Sequence, residues 1–288
     1  MKTLLTACAA LSVLIISCQK ETSLEPGSGS GNNNNGGTPD GTLLVRSVGI
    51  SGSDSTSTIY TYDNQKRLET VTEDGIKDGS DYHRYKKYVR DGSGRIIKTL
   101  TLAADQGFSS DTVIDKVHYA NSSTMEFDYD VINYDQAGVQ FSDSTVYNYS
   151  GGKMQSLTMY VRSSIISMPV SKVDFAYDGS GNVTKMTMYG TTDPTQPIQN
   201  LGYQDYTYGS VQNAQWAPSS AAQNYLINSL PNATNAAMTK LVFTNLSDPG
   251  AGGTVNFSYV SGANNKPSTE QAVTVGDPTV SNMRYYYQ

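Results

Sequence analysis

Few residues in this 288-residue chain are of a type that does chemistry, and their spacing narrows the options further. There are two cysteines, Cys8 and Cys18, and two histidines, His83 and His118. Cys8 lies in an apolar run headed by Lys2 and closed by Leu14-Ile15-Ile16-Ser17. A short cationic start, an apolar stretch and a small residue before Cys18 read as a signal peptide over residues 1–17, too short to span a bilayer. Its removal takes Cys8 with it, so no disulfide and no zinc–cysteine site can form within the chain. The histidines have no H-x-x-x-H spacing and no G-x-S-x-G partner, and they read as ordinary residues of a sheet face. Glu126, Asp128, Asp130 and Asp135 could gather a hard cation. A calcium loop needs a turn and backbone carbonyls, however, and three of these carboxylates fall on one strand, so a solvated face is the simpler reading. Carboxylate pairs suited to glycoside hydrolysis are too common here to point anywhere. The expectation is no catalytic residue, no metal and no cofactor, and not an enzyme.

Ser17-Cys18 behind an apolar run resembles the lipobox of bacterial lipoproteins. That resemblance implies that Cys18 is acylated, which makes the membrane a partner through a lipid anchor. Gln19, Lys20 and Glu21 resemble the short polar and acidic export signal of Bacteroidota surface lipoproteins, although Thr22 and Ser23 stand where that pattern has further acids. Residues 19–41 include GSGSGNNNNGGTPDG and hold almost nothing apolar. Such a segment behaves as a flexible leash with a span of roughly 25–30 Å. Residues 18–41 are thus the lipidated cysteine and its linker, and residues 42–288 a single folded domain.

That domain is poor in charge and rich in tyrosine. Only 16% of the chain is charged, the formal net charge is −6, and the signal carries one of the positive charges. An acidic, lightly charged surface excludes nucleic acid as a partner. The 21 tyrosines could stack on sugars, or they could form the cross-strand pairs of a sheet; their place at strand ends favours the sheet. Trp216, in Gln215-Trp216-Ala217-Pro218, is the best candidate for an exposed aromatic contact, with burial under a helix as the alternative.

These side chains are carried by a repeating phrase. Ile59–Val71, Tyr85–Leu100 and Val173–Tyr189 each run from a tyrosine-rich strand through an Asp/Asn/Gly turn into a second strand. The first strands close at Tyr62, Val89, Tyr119, Tyr149, Tyr177 and Tyr208, about 27–31 residues apart, which marks a repeat architecture. Gly94 and Gly181 are placed where a tight turn needs positive φ. Period-two alternation puts Ile96, Leu100 and Leu102 on one face, as it does Leu157, Met159 and Val161, and Met125, Phe127, Tyr129 and Val131.

The phrases Tyr60-Thr61-Tyr62-Asp63, Asp91-Gly92-Ser93-Gly94-Arg95-Ile96 and Tyr177-Asp178-Gly179-Ser180-Gly181-Asn182-Val183 resemble the YD repeat. The chain looks most like Bacteroidota outer-membrane lipoproteins of unknown function that carry diverged YD-like hairpins over roughly residues 56–210. Beyond them, Ser219–Pro231 has a serine cap, apolar spacing and a proline stop, and predicts a short helix with Tyr225, Leu226 and Leu230 against the sheet. Together these features predict an all-β, large, curved antiparallel meander sheet of about a dozen strands, an open or partly closed barrel with one short helix. The function expected is a non-enzymatic binding or scaffold module, tethered to the outer membrane at the cell surface, for a glycan or an envelope protein. The alternatives are a periplasm-facing lipoprotein holding an apolar ligand or acyl chain in its curved sheet, a porin-like barrel, or a hydrolase. The aromatic ending Tyr285-Tyr286-Tyr287-Gln288 would serve a membrane barrel or a water-soluble sheet equally well.

Overall fold

The computed structural model describes residues 43–104, 112–121, 123–136, 139–164, 166–191, 196–214, 221–228 and 234–288. Cys18, Gln19, Lys20, Glu21, Trp216 and Leu230 lie outside the described residues. The first eight strands are β1 (Leu44–Ser51), β2 (Asp54–Tyr62), β3 (Leu68–Lys77), β4 (Ser80–Arg90), β5 (Ile96–Ala104), β6 (Val113–His118), β7 (Tyr129–Gln136) and β8 (Val139–Ser150). Then come β9 (Lys153–Ser163), β10 (Ser167–Tyr177), β11 (Val183–Gly190) and β12 (Gln199–Gln212). Helix α1 (Ala221–Asn228) is next, the one α-helix among the described residues. Last are β13 (Ala236–Asn245), β14 (Gly253–Ser261), β15 (Pro267–Thr274) and β16 (Val280–Tyr287). Each strand pairs antiparallel with its chain neighbours, and β16 pairs with β1, so the sixteen strands form a closed barrel.

The meander and its single short helix agree with the sequence reading; the strand number and the open edge do not. The correction has a simple cause. In the hairpins residues at the end of one strand meet those at the start of the next across a bulge: Tyr62 with Leu68, Arg90 with Ile96, Tyr149 with Met154, Tyr177 with Val183. The two chain ends reproduce this register, with Tyr287 opposite Leu44 across the same kind of bulge. Leu43 and Gln288 then exchange both backbone hydrogen bonds, at 3.2 and 2.8 Å. The ends of the chain are the two halves of one more hairpin, and sixteen strands make eight of them. An edge that would template aggregation is abolished by pairing with the other edge.

Tyrosine links five of the hairpins to the one before. The hydroxyl of Tyr62 donates to Leu44 O (2.7 Å), Tyr119 to Ile96 O (2.9 Å), Tyr177 to Met154 O (2.5 Å), Tyr259 to Met238 O (2.6 Å) and Tyr287 to Pro267 O (2.9 Å). Burial raises these phenols above their ordinary pKa, so they stay protonated donors. In the second hairpin the linking residue is Arg90, whose guanidinium donates to Leu68 O at 3.3 Å, and not the preceding Val89. The hydroxyls of Tyr149 and Tyr208 make no such bond. The carbonyls that accept belong to the residues that start the inner core, Leu44, Leu68, Ile96 and Met154 among them, all at most 5% exposed.

A bulge and a late strand start decide which face is wet in β5 and β7, and both predicted faces are corrected. Ile96 is fully buried in the lumen, but the register shift beside Arg90 turns Leu100 and Leu102 outward, opposite Lys87 and Tyr85. Phe127 is fully buried, yet Tyr129 and Val131 in β7 point out while Asp130 points in. The strand starts only at Tyr129, so period two does not carry across Asp128. Leu157, Met159 and Val161 share the lumen face as read from the sequence, opposite Tyr147, Thr145 and Asp143.

Candidate functional site

The turns organised by Asp63, Asp91 and Asp178 lie at one end of the barrel, because they join even-numbered strands to the odd ones that come after them. Asp91 shows how they work. Its Oδ1 accepts from Ser93 N, Ser93 Oγ and Arg95 N at 3.0, 2.7 and 3.0 Å, and its Oδ2 accepts from Arg95 Nε at 2.8 Å. Those donors hold its carboxyl down to about 2. Asp63 with Arg67, and Asp178 with Asn182, repeat the pattern. Gly94 and Gly181 sit at φ 90° and 87°, as the turn requires, and the matching residue of the first turn is Lys66 at φ 61°.

The connection from β12 to β13 is far longer than these turns, and it carries α1 into the lumen at that same end. Gln223 fixes the helix. Its Oε1 accepts from Ile96 N (2.8 Å) and its Nε2 donates to Tyr119 Oη (2.8 Å) and Met125 O (3.2 Å). Tyr225 packs edge-on to Tyr147 and Phe175, with ring centroids 6.0 and 6.2 Å away. Leu226 and Ile227 join the same core, and their carbonyls accept from Lys86 Nζ and Tyr88 Oη, both at 3.2 Å. Tyr225 and Leu226 are where the sequence placed them. Leu43, the first described residue, and Gln288 lie at this plugged end, where they flank the first and last strands.

Above the plug part of the lumen wall is methionine-rich, although Glu73, Arg84, Asp143 and Glu270 also face inward. Of nine methionines, Met154, Met186 and Met238 belong to the core around α1, and Met159, Met168, Met188 and Met283 line the wall beyond it. Phe141, Phe243 and Phe257 face inward at the same level. Met159 lies in the middle of β9, yet it is 39% exposed, and lumen-facing Val113 is 45% exposed. Among the described residues no helix crosses the barrel at this far end. Sixteen strands enclose more space than inward side chains fill, and α1 occupies one end of it.

Charge occurs on both faces of the wall. The outer wall carries ion pairs in mid-strand: His83 with Asp74 (2.5 Å), Lys172 with Asp174 (2.9 Å), Lys185 with Asp205 (3.6 Å) and Lys87 with Glu69 (3.8 Å). His118 bonds Asp128 at 2.8 Å and stacks on Tyr129. Both histidines are thus outward residues of a sheet face, each beside an aspartate. The outward tyrosines Tyr203 and Tyr189 are capped by cations, with Lys185 Nζ 3.7 Å above the ring of Tyr203 and Lys172 above Tyr189. A lipid-facing barrel wall shows an apolar band about 25 Å tall, and a lysine at its midplane costs about 2–4 kcal/mol. Among the described residues, this wall interleaves the ion pairs with outward Ile59, Ile76, Leu100, Leu102 and Ile114.

Inside, Lys86, Asp115 and Asp130 sit beside α1, with Arg84 next to Lys86 on β4. Burial drives Lys86 down to about 8, and burial with the charge of Asp130 drives Asp115 up to about 7. Burial raises Asp130 as well, against the bonds it receives from Tyr147 and Thr145. The acidic run read as one solvated face is therefore split: Asp128 is outside and Asp130 in the lumen, while the side chain of Asp135 lies outside the described residues. Asp115 was overlooked, although its signal is present, since it shares strand parity with Val113 and Val117. No cluster of three His, Cys, Asp or Glu residues that could hold a metal ion occurs among the described residues.

The fold thus defines a closed, antiparallel, sixteen-stranded barrel with an internal plug. Solved structures are similar to this chain. A porin-like protein from Bacteroides uniformis superposes with a TM-score of 0.52 at 10% identity, covering 86% of this chain and 97% of the other. A porin-like protein from Bacteroides vulgatus gives a TM-score of 0.48 at 12% identity, covering 86% and 99%. No protein-family model matches the chain, and no curated protein is similar to it in sequence.

Proposed function

We propose that this chain is an outer-membrane lipoprotein, of the kind that carries YD-like hairpins, whose barrel stands in water on its leash and holds an apolar or amphipathic ligand in the lumen. It is a binding module, not a pore and not an enzyme. The observation that carries this reading is the polarity of the wall: ion pairs outside, half-exposed methionine inside. Methionine suits such a lumen because its unbranched, polarizable side chain adapts to ligands of differing shape. Acylation of Cys18 would bring the plugged end toward the membrane, since Leu43, the first described residue, lies there, and the opposite end would face away. Gln19, Lys20 and Glu21 then direct the protein to the cell surface, which protease shaving of intact cells tests. The lumen reading replaces the outer-face glycan site because the outward tyrosines Tyr189 and Tyr203 carry a cation on their rings.

An apolar fluorescent probe such as N-phenylnaphthylamine tests the lumen. It should bind the purified protein and be displaced by single-chain amphiphiles. Met159→Glu should weaken probe binding by about tenfold or more with an unchanged far-ultraviolet spectrum, since it sets a charge in the methionine-rich part of the wall. Binding untouched by that substitution would place the probe elsewhere and contradict the reading.

A further inference from the structure

We propose that α1 is a proton-seated plug: the carboxylates of Asp115 and Asp130 on the wall beside it take up a proton to hold the helix in the lumen, and loosen it when that proton is lost. Nothing in this depends on what the lumen holds. The last carbonyls of α1 rest on β4, through Lys86 Nζ to Leu226 O and Tyr88 Oη to Ile227 O. Farther round the wall, β6 and β7 bring Asp115 and Asp130 to diagonal positions on the lumen face, Asp115 opposite Ile132 and Asp130 opposite Val117. Asp130 is engaged on both oxygens, by Tyr147 Oη at 2.5 Å and Thr145 N at 3.2 Å. The ring of Tyr147 in turn carries Tyr225 of the helix. Asp115 Oδ1 is buried and has no hydrogen-bond partner. Two carboxylates and one ammonium thus meet beside the helix in a poorly solvated layer.

The groups facing this layer are Lys86, Arg84 and Tyr88 from β4, Asp115 from β6, Asp130 from β7, Tyr147 and Tyr149 from β8, and Tyr225 from α1. The phenols are raised by burial and stay neutral. Asp115 is pushed up to about 7, by desolvation first and by Asp130 second, with Lys86 opposing. Withdrawal of the helix would let water reach the layer and return Asp115 toward an ordinary carboxylate value. The seated state therefore binds this proton more tightly than the open state, and acidification through pH 7 favours seating. Lys86, lowered to about 8, acts with the opposite sign, so that seating recovers as pH rises beyond that value. The helix is held least firmly between the two, where all three groups are charged.

Amide hydrogen exchange on the full chain, corrected for the intrinsic rate, reads this directly at residues 223–227. Protection there should be about tenfold higher near pH 5.5 than near pH 7.5, while amides of β8 and β9 keep theirs. Asp115→Asn should give the higher protection at both pH values. Asp143→Asn, a lumen carboxylate bonded by Tyr134, should leave the step in place. Lys86→Met removes the cation that lowers Asp115, and should move the midpoint of the step to higher pH, which loss of a merely structural contact would not do. Equal protection at both pH values in the unmodified chain, or an undiminished step in Asp115→Asn, would overturn the proposal. If Asp115→Asn does not fold, an unmoved midpoint in Lys86→Met overturns it instead.

Discussion

Asp63, Asp91 and Asp178 each organise one turn, and the residue three places after the aspartate bears the strain. Gly94 and Gly181 take that position at no cost, whereas Lys66 holds φ 61° with a full side chain. Lys66→Gly should therefore stabilise the barrel by about 0.5–1 kcal/mol, and Gly94→Ala should destabilise it by about 1–2 kcal/mol. In the second case a Cβ would also collide with the Arg67 guanidinium. Shifts of the denaturation midpoint in opposite directions would bear this out; shifts of the same sign would show that the two turns are not equivalent. The pH dependence of the whole fold also belongs to single residues. Asp115 has a raised value, so the stability it contributes is present in acid and lost as pH rises toward 7. Asp63, Asp91 and Asp178 have lowered values, so their contribution is present near neutrality and lost below the usual carboxylate range. The melting temperature should pass through a maximum near pH 5 and fall toward pH 7.5, and Asp115→Asn should reduce that fall, the remainder belonging to Asp130, Asp143 and Glu270, which burial also raises. A melting temperature that rises steadily from pH 5 to 7.5 would contradict this assignment.

The hairpins were legible as elements because their turns are written in Asp, Gly and Asn, and because tyrosine marks the end of so many strands. The helix was legible from its cap, its spacing and its proline. The bulges were not. A residue inserted beside Arg90 moves Leu100 and Leu102 to the wet face without leaving a mark in the period-two pattern, and the late start of β7 does the same for Tyr129. Nor could the cross-hairpin tyrosine bonds be read, since they join residues about twenty positions apart through a carbonyl that has no sequence identity. Each such bond is expected to contribute about 1 kcal/mol. Tyr119→Phe should cost more than Tyr149→Phe, because the hydroxyl of Tyr119 bridges Ile96 O and Gln223 whereas that of Tyr149 is unpartnered. Equal costs would mean that the ring alone matters. Of the lumen site, the apolar face of β9 was foreseen; Lys86 and Asp115 were not, because a charge among apolar neighbours in one strand says nothing about the helix that will cover it.

At the scale of the molecule, closure and polarity together set what the barrel can be. Closure arises from chain ends that are two halves of one repeat, so a circular permutant that joins residue 288 to residue 43 and opens at Gly79 should fold to the same barrel. Polarity distinguishes a tethered receptacle from a pore, since a sixteen-stranded wall is open to both uses and only the side chains on its two faces decide between them. The most direct test of the central claim is the behaviour of residues 42–288, purified without the signal, cysteine or leash, in buffer that contains no detergent. A wall built for water predicts a monodisperse, β-rich species with a cooperative thermal transition that added detergent does not sharpen. A protein that aggregates or unfolds until detergent or lipid is supplied would contradict it, and would return the barrel to the bilayer.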